Sequence, residues 1–205
     1  MDFYCERTNL NIFDEPINTV SNIFFIISSI IVFKLYNKNK VGLYYFLLPI
    51  LIFLIGIGSF SFHLLPKNFT LLMDVVPIFL FSFLFIFFFN RDFLNLSLIG
   101  NILFIITFVF LLFFLTSILK FKILNGSEFY SANLLTMLLY VILSRKDHEI
   151  FLILVKAFFI FFISLSFRTI DEIVCEYFLI GTHFIWHLFN SILLFYLSLI
   201  FLKKQ

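Results

Sequence analysis

The chain has 205 residues, of which 62% are hydrophobic and only 13% charged, with a formal net charge of +2 and a mean hydropathy of +1.12. Soluble domains average ~45–50% apolar and ~25% charged residues, so a water-soluble globular domain and a disordered chain are both excluded. The small net charge gives no sign of a nucleic-acid partner, and two cysteines exclude a disulfide-dense secreted scaffold and a Cys-rich zinc ribbon. What remains is a polytopic membrane protein.

A helix that crosses a bilayer needs ~20 mainly apolar residues. In chain order, seven stretches approach that length: Pro16 to Phe33, Val41 to Leu64, Phe69 to Phe89, Leu96 to Leu119, Glu128 to Leu143, Ile150 to Phe167 and Gly181 to Leu202. In hydrocarbon each backbone N–H and C=O must be satisfied within its own segment, which makes these stretches helices. A barrel would alternate polar and apolar residues, and the run from Phe81 to Phe87 does not. The fifth stretch is the weakest, because Glu128, Ser131 and Asn133 dilute its start. The expected fold is all-α, one seven-transmembrane-helix bundle over residues 1–205, with residues 1–15 an acidic extramembrane N-terminal segment. Asp2, Glu6, Asp14 and Glu15 replace the basic region of a cleavable signal peptide.

Basic residues set the expected orientation. Lys34, Lys38, Lys40, Arg91, Arg145, Lys146, Lys203 and Lys204 gather on one side. Arg7, Lys67, Lys120, Lys122 and Arg168 fall on the other, and Lys156 lies within the sixth stretch. The richer side is read as cytoplasmic, so the N-terminus is expected outside and the C-terminus inside.

Ionisable groups in membrane spans are costly and usually functional. Here they cluster. His63 lies near the outer end of the second stretch, and His183 and His187 lie just inside the start of the seventh, which brings all three to one depth. The i, i+4 spacing of His183 and His187 puts both imidazoles on one helix face. That spacing suits two ligands of one metal, with His63 as the third and a fourth position open, as in a catalytic zinc site. The competing reading of the pair is a chance helical neighbour contact. Ser59 precedes His63 by four residues and shares its face. It is either a functional hydroxyl or a serine bonded to its own helix carbonyl. Asp74 enters the third stretch one turn in, where a carboxylate needs a cation or hydrogen-bond donors.

At these positions the chain resembles the alkaline ceramidase family, within the CREST superfamily of seven-helix membrane hydrolases. The resemblance rests on Ser59-Phe-Ser-Phe-His63, on Asp74, and on His183-Phe-Ile-Trp-His187. It also rests on Gly58-Ser59-Phe60-Ser61-Phe62-His63, on Glu15-Pro-Ile-Asn18-Thr-Val-Ser-Asn22 and on Cys5-Glu6. The Cys5-Glu6-Arg7-Thr8 and Gly181-Thr182-His183 versions look like bacterial members, which implies a bacterial inner (plasma) membrane. The resemblance implies a zinc-dependent amidase that cleaves ceramide or a related N-acyl lipid to fatty acid and amine base. It implies that His63, His183 and His187 bind Zn²⁺, that Asp74 holds and deprotonates the zinc-bound water, and that Ser59 helps stabilise the oxyanion. Zinc lowers the pKa of its water to ~7 and polarises the scissile carbonyl. Relatives in this family also bind Ca²⁺ through an acidic N-terminal segment. Here Glu6 and Glu15 match best, with Asp2 and Asn9 as further candidates; a solvated acidic cap is the alternative.

Cys5 and Cys175 both fall on the expected outer side, where oxidation is permitted. A bridge would pin the N-terminal segment beside the metal site; two separate thiols are the alternative. Lys156 is read either as facing a polar interior or as snorkelling or helix packing, and Arg168, Thr169 and Asp171 either as shaping the outer mouth or as a structural ion pair; Trp186 is read as packing or interface anchoring, and His148 as a loop residue. Three functions are carried forward: the amidase, a lipid-ester hydrolase of the same superfamily, and a non-enzymatic seven-helix receptor-like protein. A membrane lipid is the expected partner of the first two.

Overall fold

The computed structural model describes residues 4–9, 11–39, 41–119 and 124–203. Among the described residues there are helices and turns and no strands. Six helical segments are long and apolar enough to cross a membrane: Pro16–Asn39, Leu43–Leu64, Asn68–Asp92, Leu98–Ile118, His148–Ile170 and His183–Leu202. A shorter apolar helix covers Ser127–Leu143, the stretch that polar residues weaken in the sequence.

The first span is two helices, α1 (Pro16–Ser21) and α2 (Ile23–Asn39). Pro16 suits the first helical position, where its missing N–H costs nothing. The break falls at Asn22, whose side chain turns back to the carbonyls of Asn18 (2.8 Å) and Thr19 (3.4 Å). A 3₁₀ turn, Leu43–Phe46, leads into α3 (Leu47–Leu64), and α4 follows as Asn68–Asp92. Next come α5 (Leu98–Ile118), a 3₁₀ turn at Ser127–Tyr130, α6 (Ser131–Leu143), α7 (His148–Ile170) and α8 (His183–Leu202). Side-chain oxygens of Ser97 and Asp147 cap α5 and α7 by accepting from Gly100 N and Ile150 N.

The bundle is inside out relative to a soluble protein. On α5 the side chains of Leu98, Ile99, Phe110 and Phe113 are 66–71% exposed, an apolar surface that only lipid can cover. The aromatic core lies between α3, α4, α6 and α8, where Phe85, Phe89, Tyr140 and Phe201 pack edge-on and stacked. A polar chain crosses it: Tyr140 donates to Asn90 Oδ1 (2.8 Å), Asn90 donates to Asn101 Oδ1 (3.2 Å), and Asn101 donates to the Phe87 carbonyl (2.9 Å). Each side chain of this polar chain thereby finds a partner in hydrocarbon.

Because the connections are short, successive spans run up and down. The end of α3, the start of α4, the end of α7 and the start of α8 therefore meet at one end of the bundle, together with the N-terminal segment. The contact between α3 and α4 is set by two residues. Pro77 has no N–H to offer the carbonyl of Met73, four residues back. That carbonyl lies against the backbone of Gly58, so closely that a Cβ at position 58 would stand 1.9 Å from it. Gly58→Ala is therefore expected to force α3 and α4 apart, because the obstruction is backbone and no rotamer relieves it. The expected cost is at least ~1–3 kcal/mol of stability, the range for overpacking. A melting curve in detergent checks this; an unchanged midpoint would show that the helices tolerate a wider approach.

Candidate metal centre

His63, His183 and His187 converge at that end. They are 1–2% exposed, and their ligand nitrogens lie within 4.8 Å of one another. Ring centroids stand 5.1 Å (His63–His183), 4.8 Å (His63–His187) and 4.6 Å (His183–His187) apart. Among the described residues this is the one group of three or more His, Cys, Asp or Glu side chains placed to hold a metal ion.

Each ring is oriented by a specific neighbour. Glu15 Oε2 lies 2.5 Å from His63 Nδ1, so Nδ1 carries the proton and Nε2 keeps its lone pair. Ser21 Oγ lies 2.7 Å from His187 Nδ1. The single hydroxyl proton of Ser21 is already donated to the Asn18 carbonyl (2.8 Å), so Ser21 accepts from His187 and again Nε2 is free. His183 stacks on Tyr4, with centroids 3.7 Å apart, and its Nδ1 is buried with no hydrogen-bond partner among the described residues. Two rings with a fixed tautomer and a third with an orphaned nitrogen fit a metal ion well. A carboxylate or hydroxyl behind the imidazole is the usual support of a metal-binding histidine.

Asp74 sits on α4 beside Ser59, with His63 and Arg168 as its electrostatic neighbours. Ser59, Asp74, His183 and His187 line one cavity, together with Tyr4, Tyr130 and Arg168. Thr70 Oγ1 accepts from Lys67 N (2.9 Å) and donates to the Leu65 carbonyl (2.6 Å), which fixes the turn delivering Asp74 one helical turn later.

The N-terminal segment closes the site from above. Cys5 and Cys175 are joined, with Cα atoms 5.4 Å apart. Asp171, fully buried, accepts from Cys5 N (2.9 Å), Thr182 N (2.6 Å) and His183 N (2.8 Å). It thus caps α8 and fixes the first histidine, instead of forming the ion pair with Arg168 that its spacing suggests. Gly181 allows this: its φ is +67°, and a Cβ there would stand 2.2 Å from Asp171 Oδ1. Arg168 lies over the rings of Tyr4, Tyr130 and Trp186 at 5.4–5.5 Å and donates to Tyr4 Oη (3.1 Å). Burial pushes the Tyr4 phenol above its ordinary pKa against the lowering influence of Arg168, so it stays a neutral hydroxyl. Trp186 is buried and packed on Tyr130, not at an interface. Lys156 is exposed on the outer surface of α7, and His148 is exposed at its start.

Placement of the acidic residues differs from the calcium expectation. Glu6 accepts from Ile17 N and Asn18 N (both 2.8 Å). Glu15, fully buried, accepts from Arg7 Nε (2.5 Å) and Asn18 Nδ2 (3.1 Å) as well as pairing with His63. Arg7 also donates to the carbonyls of Asn9 and Asn11 (both 3.3 Å) and His63 (2.6 Å). The Asn9 side chain donates to Thr8 Oγ1 (3.1 Å), and Asp2 lies outside the described residues. Asp14 accepts from Asn9 N and Thr8 N, bonds that hold its carboxyl below the ordinary carboxylate range. The described candidates do not fit a calcium ion: both oxygens of Glu6 and of Glu15 already face protein donors, and a guanidinium supplies positive charge beside Glu15. Sequence reasoning missed Ser21, Asn18, Tyr4 and Arg7 as parts of the site. The available signal was the run of polar residues from Glu15 to Asn22 inside an otherwise apolar span.

Fold and site together define a class: an integral membrane protein of apolar helices with a buried three-histidine cluster and a carboxylate at one end. A family model described as Ceramidase matches residues 4–203, nearly the whole chain. The chain belongs to the ceramidase family and is a hydrolase acting on the amide bond of ceramide. No curated protein matches it significantly.

Proposed function

We propose that the protein is a zinc-dependent amidase that hydrolyses ceramide, or a closely related N-acyl lipid, to a fatty acid and a free amine base. The observation that carries this reading is the cluster of three buried imidazoles, two of them held with Nε2 free, beside a carboxylate and a hydroxyl in one cavity. Nitrogen ligands suit Zn²⁺, and three protein ligands leave a position for chemistry. A bound zinc ion supplies Lewis-acid polarisation of a carbonyl and acidification of water.

The chain's own groups do the rest. Asp74 takes a proton from the attacking water and returns it to the departing amine nitrogen. Ser59 donates its hydroxyl to the carbonyl oxygen as negative charge grows there, an interaction that strengthens in a dry site. Glu15 and Ser21 keep His63 and His187 in one tautomer, and Tyr4 and the joined N-terminal segment exclude water from above. We place this end of the bundle at the outer leaflet, because the excess of basic residues lies at the other end and Cys5–Cys175 suits an oxidising compartment. The membrane is inferred to be a bacterial inner membrane, and Glu6 and Glu15 serve as a helix cap and a histidine partner.

The test is turnover of a panel of N-acyl and O-acyl lipids by purified protein. Cleavage of the amide lipids, lost in His183→Ala, is the expected result; preference for esters would replace this reading with lipid-ester hydrolysis. Ser59→Ala is expected to retain metal and to slow turnover by ~10²-fold. An unchanged rate would leave Ser59 as a packing residue.

A further inference from the structure

Below the histidines lies a second cavity, walled mainly by Phe81, Phe85, Leu193 and Leu197. It adjoins the metal-centre cavity, and Ile55, Ile78, Tyr130 and Asn190 line both. An aliphatic chain would need only the apolar wall. Yet Asn190, Asn133, Ser82 and Thr136 also face this space.

Asn190 is 6% exposed, and its side chain makes no hydrogen bond to any described residue. It follows His187 by three residues on α8, so it sits one helical turn deeper on nearly the same face. Asn133 donates to Ser82 Oγ (2.9 Å), but its Oδ1 is buried without a partner. Carboxamides inside a membrane bundle are expensive unless something hydrogen-bonds them, and such residues mark ligand paths. A ligand that enters this cavity can supply that partner.

We propose that Asn190, with Asn133 beyond it, reads a hydroxyl group carried by the lipid chain within a few bonds of the scissile amide. The inference rests on the amidase reading and names its selectivity. Asn190 stands at the junction of the two cavities, so the recognised hydroxyl lies next to the reacting carbonyl. Its source is either the long-chain base or a 2-hydroxylated acyl chain. A pocket built to bond a hydroxyl discriminates strongly against the analogue that lacks it, because the pocket's polar groups are left unpaired.

The experiment compares matched ceramides with purified wild type and Asn190→Leu. One pair differs only in the hydroxyl on carbon 3 of the base, the other only in a hydroxyl on carbon 2 of the acyl chain. Wild type should favour the hydroxylated member of one pair by about tenfold or more in kcat/KM, and that pair identifies the source. Asn190→Leu should erase the preference while retaining metal. Equal wild-type rates within both pairs would overturn the proposal, as would an Asn190→Leu loss of equal size for every substrate. Non-cleavable amine analogues of the same pairs, read by thermal stabilisation, run alongside. Discrimination in binding without turnover of any amide would support the hydroxyl site and count against the amidase reading. Equal stabilisation by both members of each pair would overturn the hydroxyl site.

Discussion

Glu15→Ala is expected to weaken metal binding by ~10–100-fold, the usual consequence of removing the partner behind a metal-binding histidine. Loss of Glu15 removes the acceptor that holds the proton on His63 Nδ1. It also removes the carboxylate to which Arg7 Nε donates, on a side chain only 5% exposed. Removing one partner of a buried ion pair costs up to about 3–5 kcal/mol, so the fold is expected to lose stability as well. The two effects separate experimentally: chelator competition reads the metal, and a melting curve reads the fold. Glu15→Gln keeps the shape and one acceptor oxygen, so it should fall between wild type and alanine in both. Unchanged chelator competition in Glu15→Ala would show that His63 needs no support.

Asp74→Asn should retain metal and fold and lose turnover by ~10²–10⁴-fold, the range for a general base. Its side chain can still bond Ser59 but cannot accept the water's proton. Glu15 is behind His63 and Asp171 is held by backbone amides, so neither can take over. A shallow loss, under tenfold, would move the base function elsewhere in the cavity.

Much of this site is legible from spacing alone. The seven apolar stretches become helices within a few residues of their expected limits, apart from a first span that runs on to Asn39. Alternating direction then carries His63 to the level of His183 and His187, since helix rise and short loops leave little freedom. What spacing cannot give is the partner across a contact. Glu15 and His63 are 48 positions apart and Ser21 and His187 are 166, and periodicity says which face a residue takes without saying what meets it. Asp171 shows the same limit: a carboxylate three residues from an arginine suggests an ion pair, yet the backbone amides at the start of α8 occupy it. Arg7 puts a guanidinium where the acidic segment suggests an ion, a consequence visible only once four oxygen acceptors meet at that side chain. Gly58 reads as a motif letter in the sequence and as the contact point of α3 and α4 in the fold.

The most direct measurement is metal content per chain of protein purified without added metal, combined with X-ray absorption at the metal edge. One zinc per chain, with a first shell of three imidazole nitrogens that is lost in His63→Ala, His183→Ala and His187→Ala alike, is the predicted result. Protein that hydrolyses ceramide at full rate without metal, or zinc retained in all three variants, would contradict the account.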